Sequence, residues 1–345
     1  MNSLRWGYTT GACAAAAALA AARVTEGEPP PSAVELPLSD GLHAIPIAWA
    51  KRIERGTEAA VVKDAGDDPD VTHGAHVVVR LRRASDWTFH AGEGVGTVTL
   101  PGLPIPVGEP AINPGPRTLI RSLLEARGWS GARIEIAIPG GEVLAQRTFN
   151  PRLGIQGGLS ILGTQGRVRP FSTEAVEATV RRCLDVAKAQ GRDRVALVPG
   201  HLGARALRNT VPLPEDAIVE VSNAWGVALE HAVKQGFRNL LLAGHPGKLA
   251  KLAFGAFDTH SQRSPSAHPF VEALLKDLGL PIASTPTVEG LFQALPDEAR
   301  RRAATHLGER IARSVQTHFG CRCAVVLTSL EATLYGGWRE GNPWP

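Results

Sequence analysis

The sequence predicts an α/β protein in two parts: an α+β domain over residues 1–155, then a doubly wound domain with a parallel sheet over residues 156–345. Three observations carry this expectation. A chain of 345 residues is long enough to bury two cores. In the first half, short stretches of alternating apolar and polar residues outnumber helical patterns and are joined by hairpin turns. In the second half, continuous apolar runs of the kind buried on both faces alternate with helical periodicity, the order expected of a Rossmann-like sheet.

Taking the elements in order, Tyr8-Thr9-Thr10-Gly11 precedes an alanine-rich run to Ala22. This reads as a helix capped by Thr9 or Thr10, with small side chains that leave its first turn open to close approach. Val34, Leu36 and Leu38, then Ile45 and Ile47, alternate about Ser39-Asp40-Gly41 as a hairpin does. Residues 59–62 and 75–81 give further strands, and between them lies an acidic loop with Asp64, Asp67, Asp68, Asp70 and His73. Crowded carboxylates repel, which allows a proton-exchanging carboxyl or a hard-cation site, although the EF-hand pattern and its terminal Glu are missing. Turn chemistry from Asp, Gly and Pro is the other account of the loop. Residues 110–116 open a helix in which Leu119, Ile120, Leu123 and Leu124 keep helical spacing. Arg117 in its first turn opposes the helix dipole, which a bound carboxylate would explain, a solvated side chain being the other account. Strands over residues 133–138 and 143–147 close this half.

Residues 147–172 join the halves. A Gly/Pro/Arg-rich start, with Arg147 and Arg152, leads to an apolar strand over residues 159–162 that ends in Gly163-Thr164-Gln165-Gly166, and a helix starts after Pro170. Strands over residues 195–198, 218–221, 240–243 and 324–327 follow. The first four of these five strands end in small or polar loops: Gly163 to Gly166, Pro199-Gly200-His201, Ser222-Asn223 and Gly244-His245-Pro246-Gly247-Lys248. In a parallel sheet all four tips share the carboxyl edge, where ligands of such folds bind. The last loop is no P-loop, because GxxxxGK[ST] needs four residues between its glycines and a hydroxyl after the lysine. Lys248 and Lys251, one turn apart, suit carboxylates. His260 falls just after the helix they begin.

Composition removes several classes. A formal charge of +4 without a long Lys/Arg run argues against nucleic acid. Cys13, Cys183, Cys321 and Cys323 show neither CxxC nor zinc spacing, which predicts no metal site and a reduced, cytoplasmic setting. The alanine run is too weakly apolar for a signal peptide, and no stretch suits a membrane span.

Leu4-Arg5-Trp6-Gly7-Tyr8-Thr9-Thr10-Gly11-Ala12-Cys13, Lys63-Asp64-Ala65-Gly66-Asp67-Asp68-Pro69-Asp70-Val71-Thr72, Ile112-Asn113-Pro114, the segment from Asn150-Pro151-Arg152 to Gly166, Ser222-Asn223, and Gly244-His245-Pro246-Gly247-Lys248 through Thr259-His260-Ser261 stand in series. Together they resemble the CbiD family of cobalt-precorrin-5B C1-methyltransferases, from near residue 4 to about residue 261. Gln262-Arg263-Ser264-Pro265 lacks the acidic residue that the family often shows nearby. The resemblance implies S-adenosylmethionine as methyl donor and a cobalt-containing, polycarboxylated tetrapyrrole as acceptor in anaerobic cobalamin biosynthesis, with cobalt arriving only as part of the substrate.

On this reading the donor meets Gly163, Thr164, Gly166, Ser222, Asn223 and Gly244. The acceptor, lying between the domains, meets Thr9, Thr10, Arg117, Arg147, Arg152 and Lys248. His245, His260 or Asp64 moves a proton while the ring's double bonds rearrange. A homo-oligomer is compatible with the sequence but not specified by it. A nicotinamide-dependent oxidoreductase is the alternative, against which stands the missing GxGxxG with its downstream acid. A non-catalytic tetrapyrrole-binding protein is another.

Overall fold

The computed structural model describes residues 4–163, 165–211 and 213–338 of a mixed α/β chain. It divides into two compact units, Met1–Ser172 and Thr173–Pro345. The division falls after Ser172 and not at 155/156, because residues 159–162 are no strand of the second sheet. Leu159 bridges Val95 and Ile161 bridges Ile112, and both side chains lie in the first unit's core. Among the described residues no helix is long and apolar enough to cross a membrane.

The first unit is built around its alanine-rich helix, α1 (Thr10–Thr25), in which Ala12 through Ala18 are all buried. Alanine favours the helix intrinsically, and its small side chain lets neighbours pack on every face. Thr9 caps it, its side chain accepting from the Ala12 N–H at 3.1 Å. A five-stranded sheet covers one side. Its strands are β1 (Trp49–Ile53), β2 (Gly56–Val62), β3 (His76–Arg83), β4 (Trp87–Ala91) and β5 (Ala132–Ala137), in the order β1-β2-β3-β5-β4, with only β4 and β5 parallel. The amphipathic helix α2 (Pro114–Glu125) also packs on α1. Residues 143–147 depart from the expected strand: a helical turn, Gly141–Ala145, starts where Gly140 takes a left-handed φ of 75°.

In the second unit β6 (Arg194–Val198), β7 (Ile218–Glu220), β8 (Asn239–Gly244), β9 (Arg322–Thr328) and β10 (Leu334–Trp338) form one sheet in the order β7-β6-β8-β9-β10. Four strands are parallel, and β10 pairs antiparallel with β9, so the sheet is mixed at that edge. Strand residues alternate between two cores. Val195, Leu197, Leu240, Leu242, Val325 and Leu327 pack with α3 (Thr173–Ala189), α5 (Trp225–Lys234), α6 (Pro246–Ala253), α7 (His268–Asp277), α8 (Val288–Gln293) and α9 (Asp297–Phe319). Ala196, Val198, Leu241, Ala243, Ala324 and Val326 pack instead with Ala204 and Leu207 of α4 (His201–Thr210), a helix that the sequence reading leaves as loop. The crossovers explain the split. The chain moves from β6 to β7 in one direction and from β7 to β8 in the other, and right-handed crossovers then place α4 and α5 on opposite faces.

Candidate active site

Between β6 and β8 the strand order reverses, and in open α/β sheets the crevice beyond the carboxyl ends at such a point receives ligands. Pro199-Gly200-His201 follows β6 there, and Gly244-His245 follows β8. The two loops touch: a Cβ added to Gly244 would stand 2.8 Å from Pro199 Cδ, so any side chain would part them. His245 is the N-cap of α6 but makes no side-chain capping bond. Burial, reinforced by Lys248, lowers its pKa to about 4, so the imidazole is neutral at physiological pH.

Around it the edge is held by uncharged contacts. Ser222 adopts a left-handed φ of 53° at the end of β7 and turns its carbonyl to Lys248, whose Nζ donates to it at 3.3 Å. Burial, and then the charge of Lys251, lower the Lys248 pKa. Asn223 Oδ1 accepts from the Thr259 hydroxyl at 3.2 Å, and Asn223 O accepts from the Thr259 N–H. Lys251 Nζ donates to Thr259 O at 3.2 Å and to Ser264 Oγ at 2.8 Å, tying the loop that follows α6 back onto it. His260 lies on that loop, where its Nδ1 accepts from the Gln262 N–H.

The first unit gathers a different set of residues. Gly7–Tyr8 pairs antiparallel with Arg167–Val168, and Trp6 bridges Gly66, so this strand runs between the glycine segment and the acidic loop. Thr10 Oγ1 donates to Ser160 O at 3.2 Å and accepts from the Leu162 N–H at 3.0 Å. A Cβ on Gly163 would lie 2.3 Å from Thr9 Oγ1, and one on Gly166 would lie 2.5 Å from Leu38 Cδ2. Packing therefore requires Gly163, while Gly166 is required by its left-handed φ of 75°.

In the acidic loop every carboxylate has its own donor. Asp64 takes both arms of Arg5, which hold its carboxyl below the ordinary range. Asp67 accepts from the Arg5 N–H at 2.6 Å, and Asp68 accepts from the Phe171 N–H at 3.0 Å. Asp70 binds the buried Lys63 Nζ at 2.7 Å and both the N–H and the hydroxyl of Thr72. Burial works to raise the Asp70 pKa, but Lys63 and Thr72 outweigh it and leave the group below its ordinary value.

The CbiD family profile matches residues 1–170. A cobalt-precorrin-5B C(1)-methyltransferase from Syntrophotalea carbinolica is 47% identical, with all of both chains covered. One from Pseudomonas aeruginosa is 42% identical over 98% of this chain and 94% of its own. One from Moorella thermoacetica is 45% identical over 87% and 82%. The chain belongs to the CbiD family. A solved cobalamin biosynthesis protein (cbiD) from Archaeoglobus fulgidus matches over 80% of this chain and 85% of that one, at 26% identity and a TM-score of 0.41.

For this CbiD chain, the structure brings Ser222, Asn223, Gly244, His245 and Lys248 to one sheet edge, with His260 on the loop that Lys251 fastens. It does not bring Gly163 or Gly166 there: both belong to the first unit, and Thr164 lies outside the described residues. Thr9 and Thr10 are buried and hydrogen-bonded, so they fasten the 160–166 segment and do not present hydroxyls to a substrate. Arg117 is likewise committed, donating to Ile112 O at 2.8 Å and Pro110 O at 3.2 Å, and pairing with Glu109. These acceptors give the cation in that first turn partners within its own unit. Asp64, ionised and clamped by Arg5, has no proton to give near neutral pH. Arg147 is exposed after the helical turn Gly141–Ala145, and the Arg152 guanidinium lies over Phe149 at 5.6 Å. The structure adds Lys251, which the sequence marks only by its one-turn spacing from Lys248, and Thr259, which the sequence marks only as part of the Thr259-His260-Ser261 motif and which reaches the edge through Asn223.

Proposed function

We propose that this chain transfers a methyl group from S-adenosylmethionine to C-1 of cobalt-precorrin-5B, giving cobalt-precorrin-6A in cobalamin biosynthesis. The observation that carries this reading is the 47% identity, over the whole of both chains, to a relative named for that reaction. The neutral His245 at the strand-order reversal of a Rossmann-like sheet supports it.

An electron pair at C-1 of the acceptor attacks the sulfonium methyl in line. The new C–C bond forms as the S–C bond breaks, and S-adenosylhomocysteine leaves. The donor end of this displacement needs no acid, so the protein's work is to align two large reactants and exclude water. On the acceptor side one proton departs as the double bonds rearrange, and this reading gives that proton to His245, whose imidazole is unprotonated down to about pH 4. Ser222, Asn223 and Gly244 line the donor's place on the same edge. Lys248 meets a carboxylate, and His260 stands by as the second histidine.

Methyl-labelled donor incubated with enzymatically made cobalt-precorrin-5B tests the reading. One label per corrinoid, located at C-1, is the expected result. Release of S-adenosylhomocysteine without label in the corrinoid, or no turnover, would sink it.

A further inference from the structure

The lysine pair of α6 contrasts with the acidic loop, where Arg5 and Lys63 are each matched to a carboxylate. Lys251 is 6% exposed, yet its two acceptors, Thr259 O and Ser264 Oγ, are uncharged. Lys248, three residues earlier and half-buried, rests on another carbonyl, Ser222 O. Among the described residues neither ammonium has a carboxylate within ion-pair distance. Asp258, on the loop that Lys251 holds, is engaged by Arg263 at 2.5 Å. Lys248, in the first turn of this eight-residue helix, opposes the dipole, and Lys251, one turn on along the same face, adds a like charge that repels it. Lys63 shows the other arrangement, a buried ammonium with Asp70 at 2.7 Å. Asn223 adds a donor to the corner: its Oδ1 is taken by Thr259, which leaves its amide nitrogen for an acceptor.

We propose that this corner is a carboxylate-binding subsite, in which Lys248 and the Asn223 amide contact the anion and Lys251 is a positioning residue that holds the 258–264 loop and adds its charge. The proposal rests on the methyl-transfer reading and deepens it. Two carboxylates are available in that reaction, the amino-acid end of the donor and the rim of the tetrapyrrole, and the subsite takes one of them.

Calorimetric titration of the full chain with two ligand pairs separates these sources. The first pair is S-adenosylhomocysteine and 5′-methylthioadenosine, which lacks the amino-acid end. The second is cobyrinic acid and its heptamethyl ester. In Lys248→Met the carboxylate-bearing member of one pair is expected to bind about ten-fold more weakly, while its carboxylate-free counterpart changes less than about two-fold. Lys251→Met weakens the same ligand about five-fold, and Lys251→Arg restores most of that loss. The affected pair names the source. A loss shared equally by both members of each pair, or unchanged affinity for both carboxylates, overturns the subsite. So does a wild-type chain indifferent to whether the carboxylate is present. Failure of wild type in the label-transfer assay would strike the reaction itself and is read independently of these titrations.

Discussion

The acidic loop of the first unit and the lysine pair of α6 in the second both gather like charges, and they resolve that charge in opposite ways. In the loop, Asp64, Asp67, Asp68 and Asp70 each accept from a separate donor, two of them from Arg5 and Lys63 side chains. At α6, Lys248 and Lys251 meet only carbonyl and hydroxyl oxygens, and His245 is kept neutral by burial beside them. Charges that close within a unit serve its architecture. Charges held buried without a counter-ion lower stability, and a site that binds a ligand is where such an arrangement persists.

The strongest break in this comparison is His245→Ala. Loss of a proton acceptor lowers the rate of single-turnover methyl transfer by about 10²–10³. Affinity for S-adenosylhomocysteine should stay within a few-fold of wild type. An undiminished rate would remove His245 from the chemistry and leave the neutral imidazole as a packing feature.

A stability experiment separates the two clusters next. Lys63→Met strands the Asp70 carboxylate in a largely buried position, and about 3 kcal/mol of unfolding free energy should be lost, towards the low end for a buried pair because Thr72 still bonds it. Lys251→Met strands no acid and removes a like charge from Lys248, so its unfolding free energy from urea titration should change by no more than about 1 kcal/mol in either direction. Equal destabilisation by the two variants would mean that the α6 corner is as much a structural network as the loop.

A third test uses pH. In the unfolded chain His245 titrates near its ordinary 6.5, and in the fold near 4. Between these values the unfolded state binds a proton that the folded state does not. The stability associated with this group is therefore complete above about pH 6.5 and declines as the pH falls towards 4. Urea midpoints measured at pH 7.5 and 5 should differ more for wild type than for His245→Gln. Identical differences would show that the imidazole titrates normally in the fold.

Local grammar was the legible part of this chain. Thr9 before an alanine run reads as a cap, and the alternation of strands and helices after residue 190 puts the loops at Ser222 and Gly244 on one sheet edge, as found. Pairing partners were not legible. A four-residue apolar run followed by glycine looks the same whether it joins a parallel sheet or, as Leu159 and Ile161 do, bridges Val95 and Ile112. The glycines after it suggest a ligand loop, yet Thr9, more than a hundred residues distant, is what demands Gly163, and a left-handed φ is what demands Gly166. The partners of Arg117 are equally hidden: two backbone carbonyls, which sequence does not mark, and Glu109, eight residues away. Pro296 separates α8 from α9, a break that proline does mark.

The smallest expected effect concerns Phe171, where the acidic loop meets the end of the first unit. Its φ of 56° is left-handed, a conformation that costs a bulky residue about 1–2 kcal/mol, and the Asp68 carboxylate holds it there by accepting its N–H. The ring is 71% exposed, so little burial is at stake. Phe171→Gly removes the strain but adds backbone freedom to the unfolded chain, which takes back about 0.5–1 kcal/mol. The net gain should be about 0.5 kcal/mol, seen as a rise of a degree or two in Tm. Asp68→Asn keeps an acceptor oxygen and should change stability less, because the loop uses this carboxylate as a backbone acceptor with no cation opposite. A clear loss of stability in Phe171→Gly would show that the exposed ring is held by something other than Asp68, and the loop could then no longer be described as electrostatically self-contained.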